Sequence, residues 1–270
     1  MPVEISAPPI VRQGHGLLSA ATIDPVGATG DNHWWNGIAI AGAACGPGNV
    51  YPVCDTAQRA DTTEAPSVTA QPFVVEGPAI ECVSASASDL TARALAGLDA
   101  ILQTRIEDEF WADMLGTNPN ALTHMPVTGI IGGGAAYSPT TGLAALIGAA
   151  GSRQITIHAP SALAVAWTAE GLLSGGARLE TIVGRHIVSA GDGYSGLPPA
   201  SYVGIPNGID ETWVFATGAV KALVSEPLVN DAFATAQNTK QVRAERVVGL
   251  IHDECIWFAL KIDLCKGQAA

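Results

Sequence analysis

An α+β protein organised around one long helix is what this sequence predicts, and three observations predict it. Between residues 88 and 116, large apolar side chains recur every three or four positions. Close to the end, two strand-like runs, QVRAERVVGLIH and CIWFALKIDL, flank Asp253 and Glu254. Across residues 127–235, shorter helix and strand patterns alternate among glycines.

Residues 1–49 read as an arm. They carry Pro, Gly and short apolar pieces such as GLLSAATIDP and NGIAIAGAA without a sustained period. Trp34 and Trp35 stand side by side in this segment. Two such rings on a loose arm need cover, from the chain's own core or from another molecule. Residues 50–87 read as a long hairpin with a projecting tip. YPVC and PFVVEGPAIEC are extended and apolar, while DTAQRADTTEAPSVTAQ, which holds Arg59, has too few large apolar residues to bury a core.

The long helix comes next. Ser88 is placed to cap it, and Asp89 favours the positive end of its dipole. Leu95, Leu98, Leu102, Ile106, Phe110 and Met114 form the stripe, widened by Ile101 and Trp111. Arg93, Asp99, Arg105, Glu107 and Asp108 fall on the opposite side, so Glu107, Asp108 and Glu109 read as a solvated or intersubunit face. Gly116 ends the helix, with Pro119 beyond. About 27 residues at 1.5 Å each span roughly 40 Å, more than twice the usual helix length.

Beyond it TGIIGGGAAYSP reads as a loop, with a short helix from Thr140 and a buried strand at QITIHA. A helix starts at Pro160 or Ser161, a strand pair surrounds TIVGRHIVSAG, and TWVFATGAV is a further buried strand. In the first closing strand Val242, Ala244, Val248 and Leu250 alternate around Arg246. The two-residue junction at Asp253 and Glu254 predicts an antiparallel hairpin between the closing strands.

Composition narrows the function classes. Hydrophobic residues make up 48% of the 270, charged residues only 14%, against roughly 25% in an average soluble domain. So few charges imply a membrane or large contacts with other protein. The most apolar stretch, residues 155–177, is broken by His158, Pro160, Glu170 and a glycine pair, short of the ~20 apolar residues a span needs. Nor does MPVEISAPPIVRQGHG read as a secretory signal. Large protein contacts remain, and obligate ones bury about 2,000–5,000 Å². Lys and Arg number 13 against 25 Asp and Glu, a net −12. Without a basic run the chain is not expected to grip phosphate, although an acidic wall is compatible with enclosing nucleic acid. The cysteines (45, 54, 82, 255 and 265) show no zinc spacing and read as reduced apolar side chains, with Cys45 and Cys54 the one pair near enough in sequence to bridge.

Motifs for chemistry fail on context. Gly191 to Gly196 matches G-x-G-x-x-G, but LPPASYVGIP follows where a dinucleotide fold needs a helix, so it reads as a surface loop. Gly132 to Gly134 lack the Lys and Ser/Thr of a phosphate loop. His252, Asp253, Glu254 and Cys255 read as a solvated turn, and His158 as a satisfied core or interface histidine. No G-x-S-x-G elbow supports a hydrolase.

Taken in order, the parts resemble the Hong Kong-type fold of tailed-bacteriophage major capsid proteins, a fold shared with encapsulins. RIEDEFWADML, ALIGAAGSRQITIHAPSALAVAW, WVFATGAVKALV and QVRAERVVGLIHDECIWFALKIDL carry the resemblance. It implies an N-terminal arm at 1–49, an E-loop at 50–87, a P domain from 88–122 and 236–266, and an A domain at 123–235. The function implied is structural, without catalytic residues, cofactor or metal. Copies would self-assemble through pentamers and hexamers into an icosahedral phage head around double-stranded DNA, in the virion, built in the bacterial host cytoplasm. Scaffolding, portal and decoration proteins would be further partners. An encapsulin-like compartment shell is the alternative, and a cytosolic α/β enzyme the second. Trp34, Trp35, Arg59, Glu107 and Asp108 are the expected assembly contacts, and the glycine loops 132–134 and 191–196 are expected near symmetry axes. Removing residues 1–40 is expected to leave a folded subunit that does not assemble. Some members crosslink through an E-loop lysine, but the lysines here are Lys221, Lys240, Lys261 and Lys266, so no such crosslink is expected.

Overall fold

The computed structural model describes residues 14–26, 34, 38–40, 68–82, 87–116, 118–119, 121–176, 178–204, 207–234, 239–253 and 255–266. In chain order their elements are α1 (Leu17–Ala20), β1 (Thr22–Val26), β2 (Ile38–Ile40), β3 (Val68–Ala70), β4 (Phe73–Glu76) and β5 (Ile80–Cys82). The long helix α2 (Ala87–Ala112) follows, then β6 (Ala136–Tyr137), α3 (Pro139–Ala150), β7 (Thr156–Pro160) and α4 (Ser161–Ala169). Next are β8 (Leu173–Ser174), β9 (Leu179–Thr181), β10 (Ile187–Gly191) and β11 (Glu211–Thr217). The last elements are β12 (Val220–Ser225), β13 (Leu228–Ala234), β14 (Thr239–His252) and β15 (Trp257–Asp263).

A seven-stranded sheet has the order β6-β15-β11-β7-β10-β9-β8. A six-stranded sheet is built on β14, which carries β12 and β13 in succession on one edge and β4 and β5 on the other. β1 extends it, parallel to β12. A separate pair joins β2 to β3.

The side-chain period of a strand explains how the two cores meet. On β11, Trp213 and Phe215 point into one cluster, Val214 and Ala216 into the other. The first cluster holds the α2 stripe (Leu98, Leu102, Ile106, Phe110, Trp111) with Val242, Ala244, Val248 and Leu250 of β14. The second holds α3 and α4 against the far face of the seven-stranded sheet. Burial on both faces is why β11 reads as a nearly continuous apolar run. Trp111, fully buried, meets Phe215 edge-on at 4.8 Å, a contact worth about 0.5–1.5 kcal/mol beyond its area.

Local signals set the ends of the helices. Ser138 caps α3 by accepting from Thr141 N while the Thr141 hydroxyl accepts from Ser138 N, and Pro139 takes the first position, one residue ahead of the expected start. α2 stops at Ala112 rather than near Gly116. Asp113 turns left-handed at φ 48°, and Gly116 repeats this at φ 68°. Met114, the last member of the predicted stripe, is therefore off the helix and 73% exposed.

Three expectations need correcting here. The closing strands do not form a hairpin with each other. β14 lies in the six-stranded sheet and β15 in the seven-stranded one, and both pair with the β11–β12 stretch. An alternating pattern reports which face is buried, not which strand lies alongside. The two connections cross between sheets together. Asp253 N donates to Ala219 O at 3.0 Å and Gly218 N to Ile256 O at 3.2 Å. A Cβ at Gly218 would sit 2.6 Å from that of Asp253, so only glycine fits. Asp253 is thus part of a sheet crossing, not of a solvated turn.

Second, residues 14–26 belong to the folded body. Leu17 and Ala21 are core residues and β1 is a sheet strand, so removing residues 1–40 takes core and sheet away and is expected to unfold the chain. Third, the reading of reduced cysteines fails at Cys255, which is disulfide-bonded, while Cys265 is free and exposed. Spacing in sequence gives no view of cysteines that the fold brings together.

Candidate functional site

Polar groups are buried at three places along or beside α2. At the first, the Glu107 carboxylate, 1% exposed, accepts hydrogen bonds from Leu17 N at 2.9 Å and from Gly193 N at 3.2 Å. It therefore joins the N-terminal segment, the helix and the 191–196 loop. Burial is the main force on its pKa, raising it from 4.5 to about 7 against the lowering effect of those two donors. Two glycines make the approach possible. A side chain at Gly191 would run into the Glu107 carboxylate, and one at Gly193 into Thr104 O and, at 2.7 Å, the Glu107 Cβ.

The G-x-G-x-x-G stretch is consequently more than a surface loop: Asp192 and Ser195 are exposed, but its glycines are not. Gly191, Gly193 and Gly196 are buried, the first two pressed on α2, because that contact leaves no room for a Cβ. Within the subunit its crowding comes from this chain's own helix. Glu107 likewise leaves the solvated face assigned to it, since backbone donors make its burial tolerable.

The second place is centred on His158, fully buried on β7. Its Nδ1 lies 3.2 Å from the Tyr194 hydroxyl and its Nε2 2.9 Å from Thr217 Oγ1, while Ser189 Oγ is 2.6 Å from the same tyrosine hydroxyl. Thr217 donates to Gly218 O, which leaves its oxygen to accept from Nε2–H and makes Nδ1 the acceptor. Burial, then the nearby His252, lowers the His158 pKa to about 3. The histidine is neutral and satisfied, as expected. Ser189, His158 and Thr217 are all at 0% exposure, so a substrate has no path to them.

The third place is the C-terminal end of α2. Glu109 is 4% exposed, its Oε2 accepts from Leu115 N at 3.3 Å, and its Oε1 is buried without a partner. Burial and the neighbouring Asp113 charge raise its pKa. A groove of about 310 Å³ opens here, lined by Val74, Glu76, Arg105, Asp108, Met114 and Leu115 among others.

Of the expected assembly contacts, Asp108 lies on this groove, partly exposed and paired with Arg105 at 3.3 Å. Trp34 lies over this chain's own β14, where a Cβ at Gly249 would be 3.6 Å from its ring. Trp35 and Arg59 fall outside the described residues. Sequence reading missed Glu109 as a separate case. Its neighbours in the chain carry no sign that one carboxylate finds donors from distant segments and the next keeps one oxygen without a donor.

The outer surface keeps large apolar side chains. Val203 and Ile209 are essentially fully exposed, as are much of Val165, Val183, Ile182 and Phe233. Among the described residues no helix is long and apolar enough to cross a membrane.

No family model matches the chain, and no curated protein matches it in sequence. Solved structures do match in shape. The capsid of an empty GTA particle is 14% identical, with a TM-score of 0.58 over 97% of this chain and 94% of that one. A structure from Mycobacterium phage Ogopogo is 13% identical, TM-score 0.55, covering 97% of both chains. The SrpI encapsulin complex of Synechococcus elongatus is 11% identical, TM-score 0.56, covering 97% and 95%.

The chain has the Hong Kong-type capsid fold. Within this fold the buried places described above are joints: Glu107 fastens α2 to residues 14–26, and His158 fastens the seven-stranded sheet to the loop that reaches back to α2.

Proposed function

We propose that the protein is the major capsid protein of a phage-type icosahedral head, assembling from its own copies through pentamers and hexamers around double-stranded DNA. One observation carries the reading: nearly the whole chain, 97% of it, superposes on the capsid of the empty GTA particle. A surface rich in exposed apolar residues, on a chain with only 14% charged residues, supports burial against further copies. The net charge of −12 suits a wall that encloses DNA without gripping it. The role is structural, not catalytic, and the place of action is the virion, after assembly in the host cytoplasm. Scaffolding, portal and decoration proteins are the partners expected to act with it. A division into arm, E-loop, P domain and A domain is proposed, with the boundaries moved to follow the sheets: residues 14–26 join the body, β12 and β13 go with β14, and β15 goes with the seven-stranded sheet.

A compartment shell of encapsulin type is the second reading, favoured by the similar superposition on the SrpI complex. Negative-stain electron microscopy with sedimentation of the purified protein tests both. Closed particles or ring-shaped capsomers are expected, and particles that retain nuclease-protected DNA when isolated from the host favour the head. A species that stays monomeric or dimeric with scaffold supplied refutes shell assembly altogether.

A further inference from the structure

The groove at the end of α2 combines two features that do not suit a lone subunit. Its rim exposes Val74, Met114 and Leu115, which are 55%, 73% and 60% accessible. At its floor stands a carboxylate 4% exposed, with Oε1 buried and unpartnered. Leaving such an oxygen unpaired is costly. Asp113, one turn on, has its side chain 4% exposed and paired with His124 Nε2 at 3.4 Å; it adds a like charge beside Glu109, and both sit at the negative end of the helix dipole. Arg105, one turn before Glu109 on the same helix, also lines the groove and is paired with Asp108. The chemistry wanted is therefore a cation on an apolar stem.

We propose that a second copy of this chain fills the groove with an arginine, its guanidinium on Glu109 Oε1 and its stem along Val74, Met114 and Leu115. The inference rests on the shell reading above. Charge complementarity selects the occupant. Among the described arginines and lysines nearly all are engaged within the chain: Arg185 with Glu180, Lys221 with Asp24, Lys240 with Asp231, Arg243 with Glu76 and Lys261 with Glu211. Arg153, Arg246 and Lys266 donate to backbone carbonyls. Arg93 and Arg178, both exposed, enter no hydrogen bond or ion pair among the described residues. Arg12 and Arg59, outside the described residues, are the other candidates. Arginine fits better than lysine because its planar fork binds a carboxylate in two places and its stem covers apolar surface.

The test is charge exchange in the full chain. Glu109→Gln, nearly the same shape, is expected to stay folded by circular dichroism while its yield of closed particles falls at least tenfold. Glu109→Lys is expected to abolish particles, and one of Arg12→Glu, Arg59→Glu, Arg93→Glu or Arg178→Glu is expected to restore them in combination. Parental particle yield from Glu109→Gln overturns the proposal, as does failure of every exchange to rescue Glu109→Lys. Normal particles that have lost only a separate decoration protein also overturn it, in favour of a foreign partner. If the parent chain itself forms no particles, the shell reading falls instead.

Discussion

Glu107 and Glu109 stand two residues apart on one helix, and both are almost wholly buried. Glu107 is met by two backbone donors that the fold brings from distant segments. Glu109 is met on one oxygen only and faces an open groove. The difference separates two uses of a buried carboxylate. One closes a joint inside the subunit; the other is left for something outside it. Burial alone does not tell them apart, but a count of donors does.

The largest effect should come from breaking the closed joint. Glu107→Ala leaves two buried N–H groups without acceptors, and a loss of about 3–5 kcal/mol in unfolding free energy is expected in denaturant titrations of the free subunit. Gly193→Ala should approach the same loss, because its Cβ meets the Thr104 backbone carbonyl, which cannot move without disturbing the helix.

A second effect depends on pH. The folded pKa of Glu107, about 7, lies above its ordinary 4.5, so the folded state holds the proton longer. That contribution is full below pH 4.5 and falls by about 3 kcal/mol as pH rises to 7. His158 runs the other way. Its folded pKa of about 3 lies below 6.5, so its contribution is full above pH 6.5 and is lost as pH falls toward 3. The two slopes oppose each other between pH 4.5 and 6.5, so this pair together should contribute little net pH dependence there. Glu107→Gln removes one slope, so unfolding curves of that variant should show stability falling more on acidification than the parent's. A variant with the parent's pH dependence would contradict the assignment.

Glu109→Gln should do the opposite of Glu107→Ala. It removes a half-satisfied charge beside Asp113, and the free subunit is expected to keep its stability within about 1 kcal/mol, or gain. Smallest of all, Val203→Ser should change unfolding free energy by less than about 0.5 kcal/mol, since an essentially fully exposed side chain has no packing to lose.

Much of this architecture was legible in the sequence. Leu98, Leu102, Ile106 and Phe110 announce α2 because a period of 3.6 is written directly in residue type. Val242, Ala244, Val248 and Leu250 announce a strand in the same way. What stayed illegible is whatever depends on partners distant in the chain. Residues 241–252 and 255–264 looked like each other's neighbours, but each pairs with a different half of 211–225. Glu107 looked solvated because Leu17 and Gly193, its donors, lie 90 and 86 positions away. The Gly191–Gly193 pair did carry a signal of close backbone approach, though not of the helix approached. Glu109 had no signal at all, since an unfilled valence is a property of the folded surface.

The shared crossing at Gly218 and Asp253 bears on how the molecule comes apart. β11 runs into β12, and β14 into β15, so each sheet is finished by strands whose continuations finish the other. Neither half can melt without tearing backbone from its neighbour across Gly218. The two sheets are therefore expected to unfold as a single cooperative unit, in one calorimetric transition with equal van't Hoff and measured enthalpies, and a protease that nicks one is expected to release no stable fragment of the other.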